Sequence, residues 1–197
     1  MTDEAAQKHF ERIHEQLDET RELLDDFLAL MRGEGGQMDF KPVPIELSDL
    51  CRKLVEEAKL SAGEGHSIRY STTCDRVMID GDEKLLRHAI GNLVGNAVKY
   101  SPQGGEVRLD LLHTERLEIH ISDQGIGIPA EDQAYIFDPF YRASNVGELS
   151  GSGLGLSISK QAIELHGGTL EIARSDATGT EFLITLPIDE HVSLTGC

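Results

Sequence analysis

The chain has 197 residues, with 18 Lys and Arg against 35 Asp and Glu, a formal net charge of −17. That balance disfavours nucleic-acid binding by phosphate neutralisation and docking on an anionic membrane surface. Hydrophobic residues at 39% suffice for a core, and aromatics at 5% with no Trp make that core mostly aliphatic. The three cysteines, Cys51, Cys74 and Cys197, are widely spaced with no CxxC. The expectation is a reducing compartment, with neither a disulfide framework nor a zinc site.

Residues 3–32 have the pattern of one long helix, capped by Thr2 or Asp3 and ended by Gly33, Gly35 and Gly36. Phe10, Ile13, Leu17, Thr20, Leu24, Phe27 and Met31 alternate steps of three and four, a heptad seam polar at one position. Leu23, Leu28 and Leu30 widen the seam, which favours a helical bundle or dimer over a helix lying on its own domain. Residues 33–46 form a hinge and an extended stretch around Pro42 and Pro44, where a domain boundary falls. A division into 1–36 and 37–197 follows. Ser48 is expected to cap a second helix to about residue 61, with Leu50, Leu54, Val55 and Ala58 inward. Short strands are expected at 67–72 and 76–80.

Asp82 caps a central helix, 83–100, on which Leu86, Ile90, Leu93 and Ala97 form an apolar stripe. Asn92, Asn96 and Lys99 share a different stripe at i, i+4 and i+7. Amide oxygens suit a hard cation such as Mg²⁺, and the amide NH₂ groups and the ammonium suit phosphate oxygens. The bland alternative is a solvated helix face. Gly91 and Gly95 each cost about 1 kcal/mol of helix propensity, which suggests close packing there.

Alternation predicts a hairpin of strands 106–112 and 116–122. Asp123 continues the apolar phase of Leu117, Ile119 and Ile121, so its carboxylate needs a partner or a ligand. DQGIGIP follows at once, with Gly125 and Gly127 allowing close backbone approach. A strand-end turn capped by Asp123 is the plainer alternative. Residues 131–146 make a short helix or turn. Gly151, Gly153 and Gly155 then feed a helix that runs to His166, a natural seat for phosphates without the GK[ST] of a P-loop. Strands follow at 169–174 and 180–186, and 188–197 has no clear structure.

Taken in order, NLVGNAVKYS, DQGIGIP, IFDPFYRA, GSGLGLSISK and GTEFLITLP resemble the N, G1, F, G2 and closing Gly-Thr segments of sensor histidine kinases. The amino-terminal helix resembles the second helix of that family's dimerisation domain. The resemblance implies a Bergerat-type α/β sandwich, a mixed sheet with helices on one face, that binds ATP or ADP with Mg²⁺. By the family pattern, Asn96 with Asn92 holds Mg²⁺, Lys99 contacts phosphate and Tyr100 flanks the nucleotide. Asp123 accepts from the adenine amino group, beside Gly125 and Gly127, and Thr180 closes the adenine side. Tyr141 and Arg142 sit at a lid, with Arg142 toward the γ-phosphate. Gly153, Leu154, Gly155 and Leu156 offer backbone N–H groups. Asn92, Lys99 and Arg142 are the catalytic candidates.

The resemblance further implies γ-phosphoryl transfer to a histidine on an acceptor helix and relay to a response-regulator Asp. It implies a homodimer through the amino-terminal helix and a cytoplasmic setting, with the parent protein open to membrane attachment. No nucleic-acid or membrane contact is expected of this fragment. The family's acceptor-His box has no counterpart; His14, with Asp18 four residues on, is read as a polar residue beside the seam, and His9 likewise. Two alternatives follow. One is a nucleotide-gated dimerisation module without transfer. The other is an ATPase of the chaperone, gyrase or mismatch-repair kind, which places a Glu on this helix where the chain has Asn92, a poor base.

Overall fold

In the computed structural model, the described residues are 40–63, 65–147, 149, 151–188 and 193–197. The amino-terminal seam therefore lies outside them, as does the junction of the two expected domains. The elements are β1 (Val43–Glu46), α1 (Leu47–Ser61), β2 (His66–Thr72), β3 (Arg76–Gly81), α2 (Glu83–Lys99), β4 (Gly105–His113), β5 (Leu117–Ser122), α3 (Gly155–Leu165), β6 (Thr169–Asp176), β7 (Gly179–Leu186) and β8 (Ser193–Thr195).

Five strands form a mixed sheet in the order β2-β4-β5-β7-β6, with β2 parallel to β4 and the other pairs antiparallel. The predicted hairpin is in register, Leu109 opposite Ile121 and Leu111 opposite Ile119. Side chains of period two from β4, β5 and β7 bury Val107, Leu109, Leu111, Leu117, Ile119, Ile121, Ile184 and Leu186 on one face. The helices cover that face. Leu86, Ile90, Leu93 and Ala97 of α2 are all buried, as the stripe predicts, and so are Leu50, Leu54 and Val55 of α1. The result is the two-layer α/β sandwich of the Bergerat type. A second, antiparallel sheet, β1-β3-β8, lies beside it.

Local chemistry explains the element ends. Oδ1 of Asp82 accepts from the N–H groups of Lys84 and Leu85, at 3.0 and 3.2 Å, so the predicted cap of α2 is present. Ser48 does not cap α1. It lies inside the helix, fully buried, and its Oγ accepts the Val77 N–H at 3.1 Å, tying α1 to β3. Gly95 does not mark close packing, whereas Gly91 faces one side chain of α1. A Cβ on Gly91 would meet only Leu54 at 3.4 Å and one on Gly95 would meet nothing within 4 Å. Both glycines line a cavity.

Two expectations about the carboxyl-terminal end are overturned. Residues 193–195 form β8, with Leu194 opposite Val77 on β3. Cys197 is joined by a disulfide to Cys74, across 123 residues. Spacing alone could not show that pairing, because β8 brings the two together by long-range register. Cys51 is a buried free thiol, pushed up to about 12 by burial.

Candidate nucleotide site

A cavity of about 720 Å³ opens between α2, the loop after β5, the segment before α3 and the start of β7. Its lining includes Asn92, Asn96, Lys99, Tyr100, Asp123, Gly127, Tyr141, Arg142, Gly153, Gly155, Leu156 and Thr180. The structure thus brings together all but two of the residues selected from the sequence. Gly125 and Leu154 are not among the cavity's lining residues.

Asp123 follows the last residue of β5, and its N–H donates to the Thr180 carbonyl at 2.9 Å. Its Oδ1 accepts two backbone N–H groups, from Gly125 at 2.8 Å and Thr180 at 3.1 Å. Asp123 is only 8% exposed. Burial raises its pKa, and the two N–H bonds oppose that rise. Both bonds fall on one oxygen, so Oδ2 retains acceptor capacity for a ligand N–H. Thr180 Oγ1 is within 3.1 Å of Ser175 Oγ, which in turn accepts the Ile128 N–H.

The DQGIG loop is clamped from both sides, which is why it needs its glycines. A Cβ on Gly125 would fall 2.2 Å from the Tyr100 carbonyl oxygen. Gly127 has φ +66°, and a Cβ there would sit 1.9 Å from the Asp176 oxygen. Ile126 donates its N–H to that same Tyr100 carbonyl at 3.0 Å, so the loop rides on the end of α2.

The opposite wall is α2. Asn96 lines the cavity. Nζ of Lys99 lies 5.6 Å over the Tyr100 ring and 3.0 Å from where a Cβ on Gly151 would stand, so the ammonium lies against the glycine loop. Asn92 is tied to the neighbouring helix: its Nδ2 donates to Ser159 Oγ at 2.9 Å, and its side chain abuts Gly155. Burial raises the Tyr100 pKa, with nearby Arg142 opposing it.

The loop leads into α3, whose first residue Gly155 and next residue Leu156 line the cavity. Leu154, at the N-cap, supplies no side-chain cap, and the positive end of the helix lies at the cavity that Gly155 and Leu156 line. Leu154 itself is buried against Ile158, and its N–H donates to Ser152 Oγ at 3.1 Å.

Sequence reading missed the residue that organises the segment from 131 to 147. Asp132 is buried. Its Oδ1 accepts from Tyr141 Oη at 2.6 Å, and its Oδ2 from Ser144 N and Oγ at 2.7 and 2.8 Å. The Tyr141 bond is the main cause that holds Asp132 below the usual carboxylate range, and the same bond pushes Tyr141 up to about 12. Asn145 Nδ2 donates to the Gly127 carbonyl at 2.9 Å, and Phe140 donates its N–H to the Gly153 carbonyl at 2.9 Å. Phe140 adopts φ +66°, unusual for a non-glycine residue. Arg142 donates through Nη2 to the Leu149 carbonyl. The only sequence signal was an aromatic-basic segment, which says nothing of a buried acid inside it.

One buried acceptor at one end, an amide and ammonium wall, and a helix N-terminus at the cavity suit a ligand with an N–H-bearing ring and an anionic tail. Such a fold and site define a nucleotide-binding domain. The sequence pattern described as histidine kinase-, DNA gyrase B- and HSP90-like ATPase matches residues 81–190. The heme sensor protein HssS of Staphylococcus saprophyticus subsp. saprophyticus is 37% identical over 186 residues, 93% of this chain and 40% of that protein. A solved mycobacterial sensor histidine kinase MprB is 31% identical with a TM-score of 0.65, covering 74% of this chain and 97% of that one. Full-length ShkA in complex with AMPPNP is 25% identical with a TM-score of 0.81, covering 97% of this chain and 40% of that one. The chain belongs to the histidine kinase-, DNA gyrase B- and HSP90-like ATPase family, as an ATP-binding catalytic domain of the sensor histidine kinase type. It spans 40% of the length of the HssS relative. Among the described residues, no helix is long and apolar enough to cross a membrane.

Proposed function

We propose that this domain holds Mg²⁺-ATP so that, in a parent protein, the γ-phosphoryl passes to a histidine nitrogen and then to a response-regulator Asp. The observation that carries this reading is Asp123, a buried carboxylate with one oxygen saturated by backbone N–H groups and the other left to the cavity. Asp123 accepts from the adenine amino group, Gly125 and Gly127 shape that end, and Thr180 closes it. Lys99 and the N–H groups of Gly153, Leu154, Gly155 and Leu156 meet the phosphates, with Tyr100 flanking. Tyr141 and Arg142 belong to the lid, where Arg142 turns from the Leu149 carbonyl to the γ-phosphate. Asn96 would hold Mg²⁺, assisted by Asn92. A neutral amide oxygen beside a triphosphate suits a cation that keeps several waters and phosphate oxygens as ligands. Bound there, the metal neutralises charge on the transferring group. The protein's share is positioning and electrostatic stabilisation.

The α2 residues that line the cavity include no carboxylate, which favours transfer to an external acceptor over activation of water. The same reading makes 1–36 a dimerisation segment and 37–197 the catalytic domain, in a cytoplasmic homodimer. Light scattering of the chain against a Leu17→Glu, Leu24→Glu double variant tests the dimer, which a monomeric parent chain would refute. The transfer test uses labelled ATP. The chain alone should label itself feebly, addition of a fragment carrying the family's acceptor helix should restore transfer, and Asn96→Ala should abolish it. Acid-labile self-labelling lost in His14→Ala would overturn the external-acceptor reading.

A further inference from the structure

Cys74, His113 and Cys197 come from three separate parts of the chain and meet at one point. Cys74 lies in the turn between β2 and β3 and is 1% exposed. His113 is the last residue of β4, and Cys197 follows β8. One donor atom from each lies within 4.8 Å of the other two. The backbone around them is built for this meeting. Thr72 Oγ1 accepts the Cys74 N–H at 3.2 Å and donates to the Cys74 carbonyl at 2.9 Å, fixing that turn. Thr73 Oγ1 accepts the His113 N–H at 2.9 Å, locking the turn to the end of β4. Gly196 takes φ +71°, a left-handed backbone that favours glycine, as the last residues close onto the turn beside Asp75.

We propose that these three residues, with the disulfide reduced, form a binding site for a borderline divalent cation, Zn²⁺ being the best match. Two thiolates and one imidazole are ligand types that Zn²⁺ favours, at about 2.3 Å for sulfur and about 2.0–2.1 Å for nitrogen. Three protein ligands leave a fourth, tetrahedral position for water. In the first step a dithiol reductant gives two electrons and two protons to the disulfide and is itself oxidised to a disulfide. The Cys74–Cys197 bond breaks and two thiols form. In the second step Zn²⁺ displaces the two thiol protons to solvent and takes the His113 nitrogen as a third ligand. Both states hold β8 against β3, one by a covalent bond and the other by coordination. The site stands apart from the nucleotide cavity, whose lining contains none of the three residues. It reverses the expectation that cysteine spacing drew, since the topology and not a CxxC spacing supplies the geometry.

The test titrates the chain, reduced by a phosphine and then freed of reductant, with Zn²⁺ against a chromophoric chelator, and with Co²⁺ as a spectroscopic probe. The reduced chain should take up one equivalent and show thiolate-to-cobalt charge transfer with tetrahedral absorption, and the oxidised chain should do neither. His113→Ala and Cys197→Ser should each weaken binding by about tenfold or more, and Cys51→Ser should leave it unchanged. Binding of ADP with parent affinity shows that each variant is folded. A readout that needs no variant is alkylation mapped by mass spectrometry. Zn²⁺ should slow modification of Cys74 and Cys197 in the reduced parent chain. Alkylation unaffected by Zn²⁺, or Zn²⁺ affinity unchanged in both His113→Ala and Cys197→Ser, would overturn the site.

Discussion

Thr180 donates its backbone N–H to Oδ1 of Asp123 at 3.1 Å, from 57 residues further along the chain. With the Gly125 N–H on the same oxygen, the carboxylate is orientated before any ligand arrives. Asp123→Asn keeps the shape but puts an amide where the buried acceptor faced the cavity. A hydrogen bond to a charged group contributes about 1.5–3 kcal/mol, so ATP and ADP affinity should fall roughly ten- to hundredfold. Titration calorimetry checks this, and equal affinities would remove Asp123 from the adenine end.

Gly95 costs helix propensity without being packed against anything. A methyl group there meets nothing within 4 Å, and the residue lines the cavity. Gly95→Ala should therefore stabilise the free domain by about 0.5–1 kcal/mol. For a chain of this size that raises Tm by roughly 2–4 °C per kcal/mol. Nucleotide affinity should drop in the same variant, because the methyl projects into the space the ligand needs. Calorimetric melts with and without ADP separate the two effects. A destabilised free domain would show that the glycine has a packing role.

These two residues show what the sequence made legible. Asp123 stood out because a carboxylate on the apolar phase of Leu117, Ile119 and Ile121 is a local anomaly, and period two carries across six residues. Asp82 was legible as a cap for a similar reason, since capping depends only on the next three residues. Features that depend on register between distant strands were not. Ser48 serves Val77, Cys197 reaches Cys74 through β8, and Asp132 gathers Tyr141 and Ser144 in a segment with no periodicity. Gly95 looked like a contact because propensity reports only the cost of a glycine and not what occupies the space beside it.

Asp132 is expected to act as a positioning residue for the lid. Its two oxygens hold Tyr141 and Ser144, and Asn145 next to Ser144 reaches the Gly127 carbonyl of the DQGIG loop. Asp132→Ala should release the segment from 131 to 147, giving faster limited proteolysis there and weaker nucleotide binding while the sheet remains intact. Tyr141→Phe removes only one of the bonds and should fall between parent and Asp132→Ala. Unchanged cleavage in Asp132→Ala would show that the segment is held by its backbone turns alone.

The last prediction concerns pH. His166 is clamped in one tautomer: its Nδ1–H donates to the Ala162 carbonyl at 2.7 Å, and its Nε2 accepts the Asp82 N–H at 2.9 Å. Phe40 packs edge-on at 4.9 Å. Burial disfavours the charged ring, against the Ala162 bond and the Asp82 charge that favour it, so the pKa lies below its ordinary value of 6.5; a proton on Nε2 would also break the Asp82 N–H bond. Between 6.5 and that lower value the unfolded chain holds a proton that the folded chain does not. Stability therefore rises with pH across this window and is lost as pH falls through it, by at most about 1.4 kcal/mol per pH unit. Asp49, Asp132 and Asp176, all lowered from 3.8, lose their stabilising contributions only at more acidic pH, so they do not mimic the effect. Urea unfolding at about pH 7.5 and about pH 5.5 should show the loss in the parent chain and a smaller one in His166→Gln, which has no imidazole to titrate. Equal losses in both would assign the pH dependence to other groups.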